Sequence, residues 1–339
     1  MSPRKLLLEK LALCDNVTTD ILIDKVCLER ATRKIHCSTH FSRTVVQQHD
    51  VVGIIRSQVV QNDDAMEGVR QLLLLPDLRA VTTRLDDGSD LFPRHLAIYV
   101  HMYLRDCPFE IMPTQRYNGT GYNVSITARR NIKTGEKIRY LVGIRVPIDE
   151  GQEESLAAAD SDFSLIISSR QKTCSLLLGP ARFANHDCNA NAKLMAADCD
   201  GIQVVAVKPI CIGDEVTVFY GSDYFGDGNE GCLCHTCELL QQNDRRDTEA
   251  LDTCPPTRIT RSKSRHNNDR LMPPAIAKTD ISKDFRQSMD GGTCSECSVR
   301  QKQYTTPEQC LRCTRHFSLY GYRWPSRGEQ NHVRHKRSV

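Results

Sequence analysis

Eight of the chain's sixteen cysteines fall into two groups whose spacing is that of metal ligands. Cys232, Cys234 and Cys237 form a C-x-C-x-x-C cluster. Three thiolates do not close a structural zinc site, because such sites are almost always four-coordinate and tetrahedral. Cys188, which follows Asn185-His186-Asp187, is the candidate for the fourth ligand. The second group reads Cys294-x-x-Cys297, twelve residues, Cys310-x-x-Cys313. Each pair chelates from a tight turn, and the separation suits a zinc-ribbon module. Two structural zinc ions are therefore expected.

Thiols held in this way need a reducing compartment, where clustered cysteines bind metal rather than form disulfides. The first residues, Met1-Ser2-Pro3-Arg4-Lys5, precede only a short apolar run at Leu6 to Leu8, so neither a secretory leader nor a membrane span is expected. With a net charge of +3, the chain carries no global nucleic-acid signature, although its last stretch is basic. A length of 339 residues allows two or three domains.

The pattern along the chain predicts an α+β protein. Residues 1–112 read as a helical domain. One helix is expected to be capped by Thr18, Thr19 or Asp20 and to run toward Ile35. A second carries Met66, Val69 and Leu73, and a third begins near Pro93, with Leu96, Val100, Tyr103 and Leu104 on one face. These helices are read as packing on the next domain, with direct substrate binding as the alternative. His101 and Cys107 are read as structural. From Tyr122 the texture changes to short runs rich in Val, Ile and Tyr, separated by turn residues: 122–128, 137–146, 163–168, 175–178, 192–196, 202–207 and 216–220. No helices alternate with them, which argues against a doubly wound parallel sheet. Two similar turns, at Ile132 to Glu136 and Pro209 to Glu215, lead into strands. Residues 241–290 read as a polar linker whose basic residues also suit nuclear import. Residues 291–325 form the second cysteine module, and 326–339 a basic tail. Within the module, Arg315 to Pro325 mixes basic and aromatic residues, which suits either a chromatin-facing surface or packing on the module itself.

Three segments in order, Asn185-His186-Asp187-Cys188, Gly213-Asp214-Glu215-Val216-Thr217-Val218-Phe219-Tyr220 and Cys232-Leu233-Cys234-His235-Thr236-Cys237, resemble the SET-domain protein lysine methyltransferases. Further segments are similar to the branch that methylates lysine 20 of histone H4. Among them are Asp106 to Glu110, Leu141-Val142-Gly143, Leu178-Gly179-Pro180-Ala181 and Tyr220-Gly221-Ser222-Asp223-Tyr224-Phe225-Gly226. The late cysteine module and Gly321 to Pro325 are similar to the fungal members. This resemblance implies a SET catalytic domain at 113–227, a post-SET zinc segment at 228–240 and S-adenosylmethionine as methyl donor.

By the same resemblance, Tyr220 stands beside the transferred methyl group. Asn185 and His186 hold the cofactor. The family's Gly-x-Gly falls here on Asn123-Val124-Ser125, which departs from the pattern and leaves backbone groups to line the cofactor site. Arg170 matches an arginine suited to the cofactor carboxylate, and Val218 and Phe219 line the lysine channel. Valine at 218 has no hydroxyl to anchor a water beside the amine, so products beyond monomethyl-lysine are expected. The implied setting is nuclear chromatin, with histone H4 in nucleosomes as substrate, DNA contact through the basic C-terminal region, and no membrane partner. Open alternatives are another protein lysine as target, a catalytically silent chromatin reader on a SET scaffold, and a purely structural zinc protein.

Overall fold

A computed structural model describes residues 3–28, 31–36, 44–85, 90–114, 116, 123–159, 161–167, 173–197, 200–240, 294–297 and 310–324. Arg170, the whole of the expected linker and the basic tail lie outside them.

The N-terminal part is helical: α1 (Pro3–Thr18), α2 (Gln48–Ile54), α3 (Ala65–Leu73), α4 (Pro76–Leu85) and α5 (Leu91–Val100). The expected helix start at Thr18 to Asp20 is not observed. Instead α1 runs straight on into a wider, π-type helix, Thr19–Leu28. Thr18, Thr19 and Asp20 are all buried in mid-helix, and the last two bond within the interior rather than at a helix start. Thr19 Oγ1 donates back to the Asp15 carbonyl, and the Asp20 carboxylate accepts the N–H and hydroxyl of Thr44 at 3.1 and 2.6 Å. Asp24 similarly holds Thr32 and Lys34. Asn16 pairs with both backbone groups of Ile35, at 2.7 and 2.8 Å. One face of this helix is thus polar and buried, and it pins the segments that follow.

In α3 the Asp64 side chain accepts from the Glu67 N–H at 2.8 Å, an N-cap that satisfies one of the first-turn donors. The buried face is Ala65, Gly68, Val69 and Leu72, whereas Met66 points to solvent. A turn at His101–Tyr103 ends the helical part. His101 bonds the Ala97 carbonyl, and buried Cys107 donates to the Phe109 carbonyl.

Nine strands form one sheet among the described residues: β1 (Phe109–Thr114), β2 (Asn123–Ala128), β3 (Lys137–Pro147), β4 (Leu165–Ile167), β5 (Cys174–Leu178), β6 (Asn185–His186), β7 (Ala192–Ala196), β8 (Gly201–Ala206) and β9 (Glu215–Val218). Their order is β1-β2-β9-β7-β8-β3-β5-β4, with β6 laid beside β9. β1 begins inside the stretch expected to be helical, and β6 and a short helix α6 (Glu150–Ala158) were not anticipated. The two similar turns pair with each other through Ile132 and Ile210, whose N···O distances are 2.9 and 3.0 Å.

Among the described residues, the larger of two core clusters that join the helices to the sheet spans most of the molecule. It runs from Val17 and Ile21 through Tyr103 and Phe109 to Ile126, Val216 and Val218, and reaches Leu319 of the C-terminal helix Leu311–Tyr320. Burying such apolar surface contributes roughly 25 cal/mol per Å², so the helical part cannot be removed without exposing the underside of the sheet.

Candidate active site and cysteine clusters

The site is assembled where β6 meets β9. Their pairing is parallel, Asn185 opposite Thr217 and His186 opposite Val218. Parallel pairing of neighbouring segments needs a long excursion between them. Here residues 187–214, carrying β7 and β8, make that excursion, so two segments far apart in sequence lie side by side.

Asn185 is fixed by two bonds from its amide nitrogen, to the Val124 carbonyl and to Glu215 Oε1, both 2.8 Å. The expected cofactor-lining stretch Asn123 to Ser125 is therefore brought directly against Asn185. Its other edge is paired with β1, Met112 opposite Ser125. Glu215 is raised above the usual carboxyl range by burial, partly offset by the Asn185 bond.

Tyr220 is held at two points. Its hydroxyl donates to the Ala184 carbonyl at 2.8 Å, and its backbone N–H donates to His186 Nδ1 at 3.1 Å. Burial pushes the phenol well above its ordinary pKa, with the Tyr224 and Glu215 charges adding, so the hydroxyl keeps its proton. Around it stand Tyr224, edge-on with ring centres 4.9 Å apart, and Phe225, stacked at 6.3 Å. Phe219 lies against His186 and is 50% exposed, whereas Val218 is in the core, 1% exposed. Of the two expected channel residues, only Phe219 therefore presents its side chain to solvent.

The first cysteine cluster adjoins this tyrosine. Cys188 Sγ lies 3.4 Å from Cys237 Sγ and 3.9 Å from Cys232 Sγ. The backbone N–H groups of Cys188 and Cys237 each donate to Cys234 Sγ at 3.4 Å. A tetrahedral site with Zn–S bonds of about 2.3 Å has edges of about 3.8 Å, so these sulfurs fit one zinc ion. His186 also falls within ligand range of Cys188, Cys232 and Cys234. Its chemistry argues for a different part. Burial lowers its pKa, so the ring is neutral. With Nδ1 accepting from Tyr220, the proton sits on Nε2, 3.3 Å from Cys188 Sγ. A protonated ring nitrogen donates to a thiolate but does not ligate. Asp187 closes the arrangement by accepting the Thr236 hydroxyl at 2.5 Å. Above it Arg116 pairs with Glu238 at 2.6 Å.

The second cluster is more deeply placed. Cys294 and Cys313 sulfurs are 3.8 Å apart, and those of Cys297 and Cys310 are 3.5 Å apart, the same tetrahedral fit. Cys310 caps the C-terminal helix and Cys313 lies in its first turn. This module is fastened to β1 by buried Arg312, whose Nε meets Glu110 Oε1 at 2.5 Å and whose guanidinium stacks on Trp324 at 3.7 Å. Arg129 bonds the hydroxyls of Tyr320 and Tyr322 at 2.9 and 3.2 Å. Of the mixed basic and aromatic stretch, His316, Tyr320 and Trp324 pack inward, while Phe317 and Tyr322 remain exposed.

Sequence reasoning missed Ala184, Glu215 and Asp187 as parts of the site. Asp187 and Glu215 lie inside the quoted motifs and Ala184 directly before one, but nothing in the sequence marks what they bond to. The description of the SET domain family matches residues 123–221. The histone-lysine N-methyltransferase SET9 of Phaeosphaeria nodorum is 54% identical over 242 residues, which cover 71% of this chain and 37% of that protein. The set9 protein of Aspergillus fumigatus, of the same description, is 45% identical over 241 residues, 70% of this chain and 39% of the other. The solved SET domain protein DIM-5 of Neurospora, a histone lysine methyltransferase, aligns with 38% of this chain and 57% of its own at 21% identity, with a TM-score of 0.27. The chain thus spans less than half the length of the curated relatives it matches.

Proposed function

We propose that the SET domain at residues 123–221 makes this chain an S-adenosylmethionine-dependent histone-lysine N-methyltransferase. Its target in this reading is lysine 20 of histone H4 in nucleosomes, methylated to the di- or trimethyl state in nuclear chromatin. The observation that carries the reading is the convergence on Tyr220: a neutral phenol residue anchored to Ala184 and His186, on either side of the Asn185 that holds Val124, inside an aromatic wall. Kinship to relatives described as histone-lysine N-methyltransferases supports it.

When bound, S-adenosylmethionine supplies an electrophilic methyl group on a cationic sulfur. The residues present suit such a cation, since the rings of Tyr220, Tyr224 and Phe225 attract positive charge. Val124, Asn185 and the flanking backbone would hold the remainder of the group. Asn123, Ser125 and His186 belong to the same lining, and Arg170 is proposed for the carboxylate.

The lysine must arrive neutral. At a pKa of about 10.4 only about one amine in a thousand is neutral near pH 7.4, a cost of about 4 kcal/mol. Aromatic walls lower that pKa by desolvation. Tyr220 does not act as a base, because its phenol titrates above the physiological range. Its hydroxyl proton is committed to Ala184, which leaves the oxygen lone pairs to receive the amine and fix its approach. Alignment of this kind lowers the barrier without a further chemical group. Phe219 and Val218 flank the channel in this reading. The two zinc sites are structural: Cys188, Cys232, Cys234 and Cys237 hold one ion, and Cys294, Cys297, Cys310 and Cys313 the other.

DNA contact through the basic C-terminal region is part of the same proposal. No described helix is long and apolar enough to cross a membrane. The test is incubation with labelled methyl donor and nucleosomes containing either native H4 or H4 with lysine 20 replaced by arginine. Label on the native substrate alone is the expected result. Equal labelling of both would move the target elsewhere, and nucleosome binding without labelling would make the chain a silent reader.

A further inference from the structure

The helical part reaches into the site through one carboxylate. Asp15 of α1 is wholly buried, 0% exposed. Its Oδ1 accepts from His95 Nε2 at 2.9 Å, from the Tyr99 hydroxyl at 2.7 Å and from the Gly179 N–H at 2.9 Å. Its Oδ2 lies 3.0 Å from Nε of Arg182, which is itself buried. Two of these partners belong to α5, and the other two belong to the turn that leads into Asn185.

That turn transmits displacement well. Pro180 to Phe183 form a single tight helical turn, with Arg182 N–H bonded to the Gly179 carbonyl at 3.1 Å and Ala184 N–H to the Ala181 carbonyl at 3.2 Å. Gly179 has φ +87°, and a side chain there would meet the Gly143 backbone at 3.2 Å, so the turn is seated against β3 with no slack. The Arg182 guanidinium lies over the Phe183 ring at 4.4 Å. Two residues after Arg182 comes the Ala184 carbonyl that receives the Tyr220 hydroxyl.

We propose that Asp15 is a positioning residue for Tyr220: by anchoring Gly179 and Arg182 it fixes the 179–184 turn, and the turn's last carbonyl sets the direction of the tyrosine hydroxyl. The helical domain is then part of the catalytic apparatus rather than only a support for the sheet. The idea rests on the reading of Tyr220 given above.

The experiment uses the full chain with 3-fluorotyrosine at position 220. Asp15→Asn removes the charge and presents an amide where four donors converge. Asp24→Asn is the control, since Asp24 is a buried carboxylate of the same helical run whose charge also reaches Arg182, but whose bonds go to Thr32 and Lys34 and not to the turn, so it separates loss of charge from loss of anchoring. Turnover is referred to folded protein, counted by zinc content and by the native fraction in circular dichroism. Asp15→Asn is expected to shift the fluorine resonance and to lower kcat at least about tenfold, as a small misplacement of a reacting group does, with KM for the histone nearly unchanged. Asp24→Asn is expected to lower the melting temperature while leaving both readouts in place. If Asp15→Asn does not fold, Asp15→Leu combined with Arg182→Met replaces the pair by apolar groups of similar size and is read in the same way. An unmoved resonance with unchanged kcat, or equal effects from Asp24→Asn, overturns the proposal. A shifted resonance in a chain that methylates no histone would refute the functional reading and leave the coupling standing.

Discussion

The two cysteine clusters share a ligand chemistry and differ in what they touch. Cys188, Cys232, Cys234 and Cys237 lie beside the site, and His186 links their edge to the Tyr220 backbone through 3.3 and 3.1 Å contacts. Cys294, Cys297, Cys310 and Cys313 lie under Trp324 and are joined by Arg312 to Glu110 on β1, on the side where the C-terminal helix meets the helical domain. The lesson is that identical donors can fix a reacting group or fix a domain contact. The first cluster is expected to govern turnover and the second stability.

The largest effect that sharpens this contrast is at Tyr220. Tyr220→Phe is expected to lower kcat about 100- to 1000-fold, as loss of one oriented polar group in a site does. The melting temperature and zinc content should stay unchanged, measured on the same preparation. Arg312→Ala should do the reverse. It leaves the partly buried Glu110 without its hydrogen-bonded partner and strips the guanidinium from Trp324, at a cost of about 2–3 kcal/mol in denaturant unfolding. The kcat of the folded fraction should remain within about twofold, because Arg312 lies outside the site. Comparable loss of kcat would break the division of labour.

Metal removal divides the two sites next. Cys234→Ser is expected to take zinc from two ions to one and to lower turnover about tenfold or more, since the support of Tyr220 is lost with the metal. Cys310→Ser should lose the same amount of zinc but register mainly as a lower melting temperature. Atomic absorption and calorimetry on the two variants check this.

Acidification gives a smaller effect, which His316 isolates for the second module. Burial holds His316 down to about 3 from 6.5, with Arg129 and Arg312 adding. A depressed imidazole keeps its stabilising contribution above the unfolded pKa and loses it as pH falls toward the folded one. Going from pH 7 to about 5.5 should therefore cost about 1 kcal/mol of stability in the native chain. His316→Phe should flatten that slope. Acid release of zinc contributes to both curves, so the difference between them is the measured quantity.

The finest test concerns product state. Mass spectrometry at long reaction times is expected to show dimethyl-lysine or beyond. Val218→Tyr, which adds a hydroxyl at the residue proposed to flank the lysine, should enrich monomethyl product. Accumulation of monomethyl-lysine by the native enzyme would overturn the valine argument.

The motifs were legible because they are local. A C-x-C-x-x-C or C-x-x-C pair declares its chemistry in six residues or fewer, and strands such as Gly201–Ala206 follow from β-branched runs between turn residues. Thr18 to Asp20 misled for the same reason. They carry the residue types of a helix cap, and only the segments around Thr44 and Ile35 show that this polar face is used in the interior. Met66 looked like a core residue by spacing alone, yet α3 turns Ala65 and Leu72 inward instead.

By itself the sequence determined the α+β order and the two sets of metal-type donors, and family likeness assigned Tyr220, Asn185 and the 123–125 stretch to one expected site. Only the tertiary structure decided that Ala184 receives the tyrosine hydroxyl, that His186 supports rather than joins the thiolates, and that Asp15 grips the turn before Asn185. The reason is physical. Spacing fixes what neighbours along one element share, but a buried hydrogen bond between residues 164 apart, as from Gly179 to Asp15, exists only once the core has closed and brought buried polar groups from separate elements together.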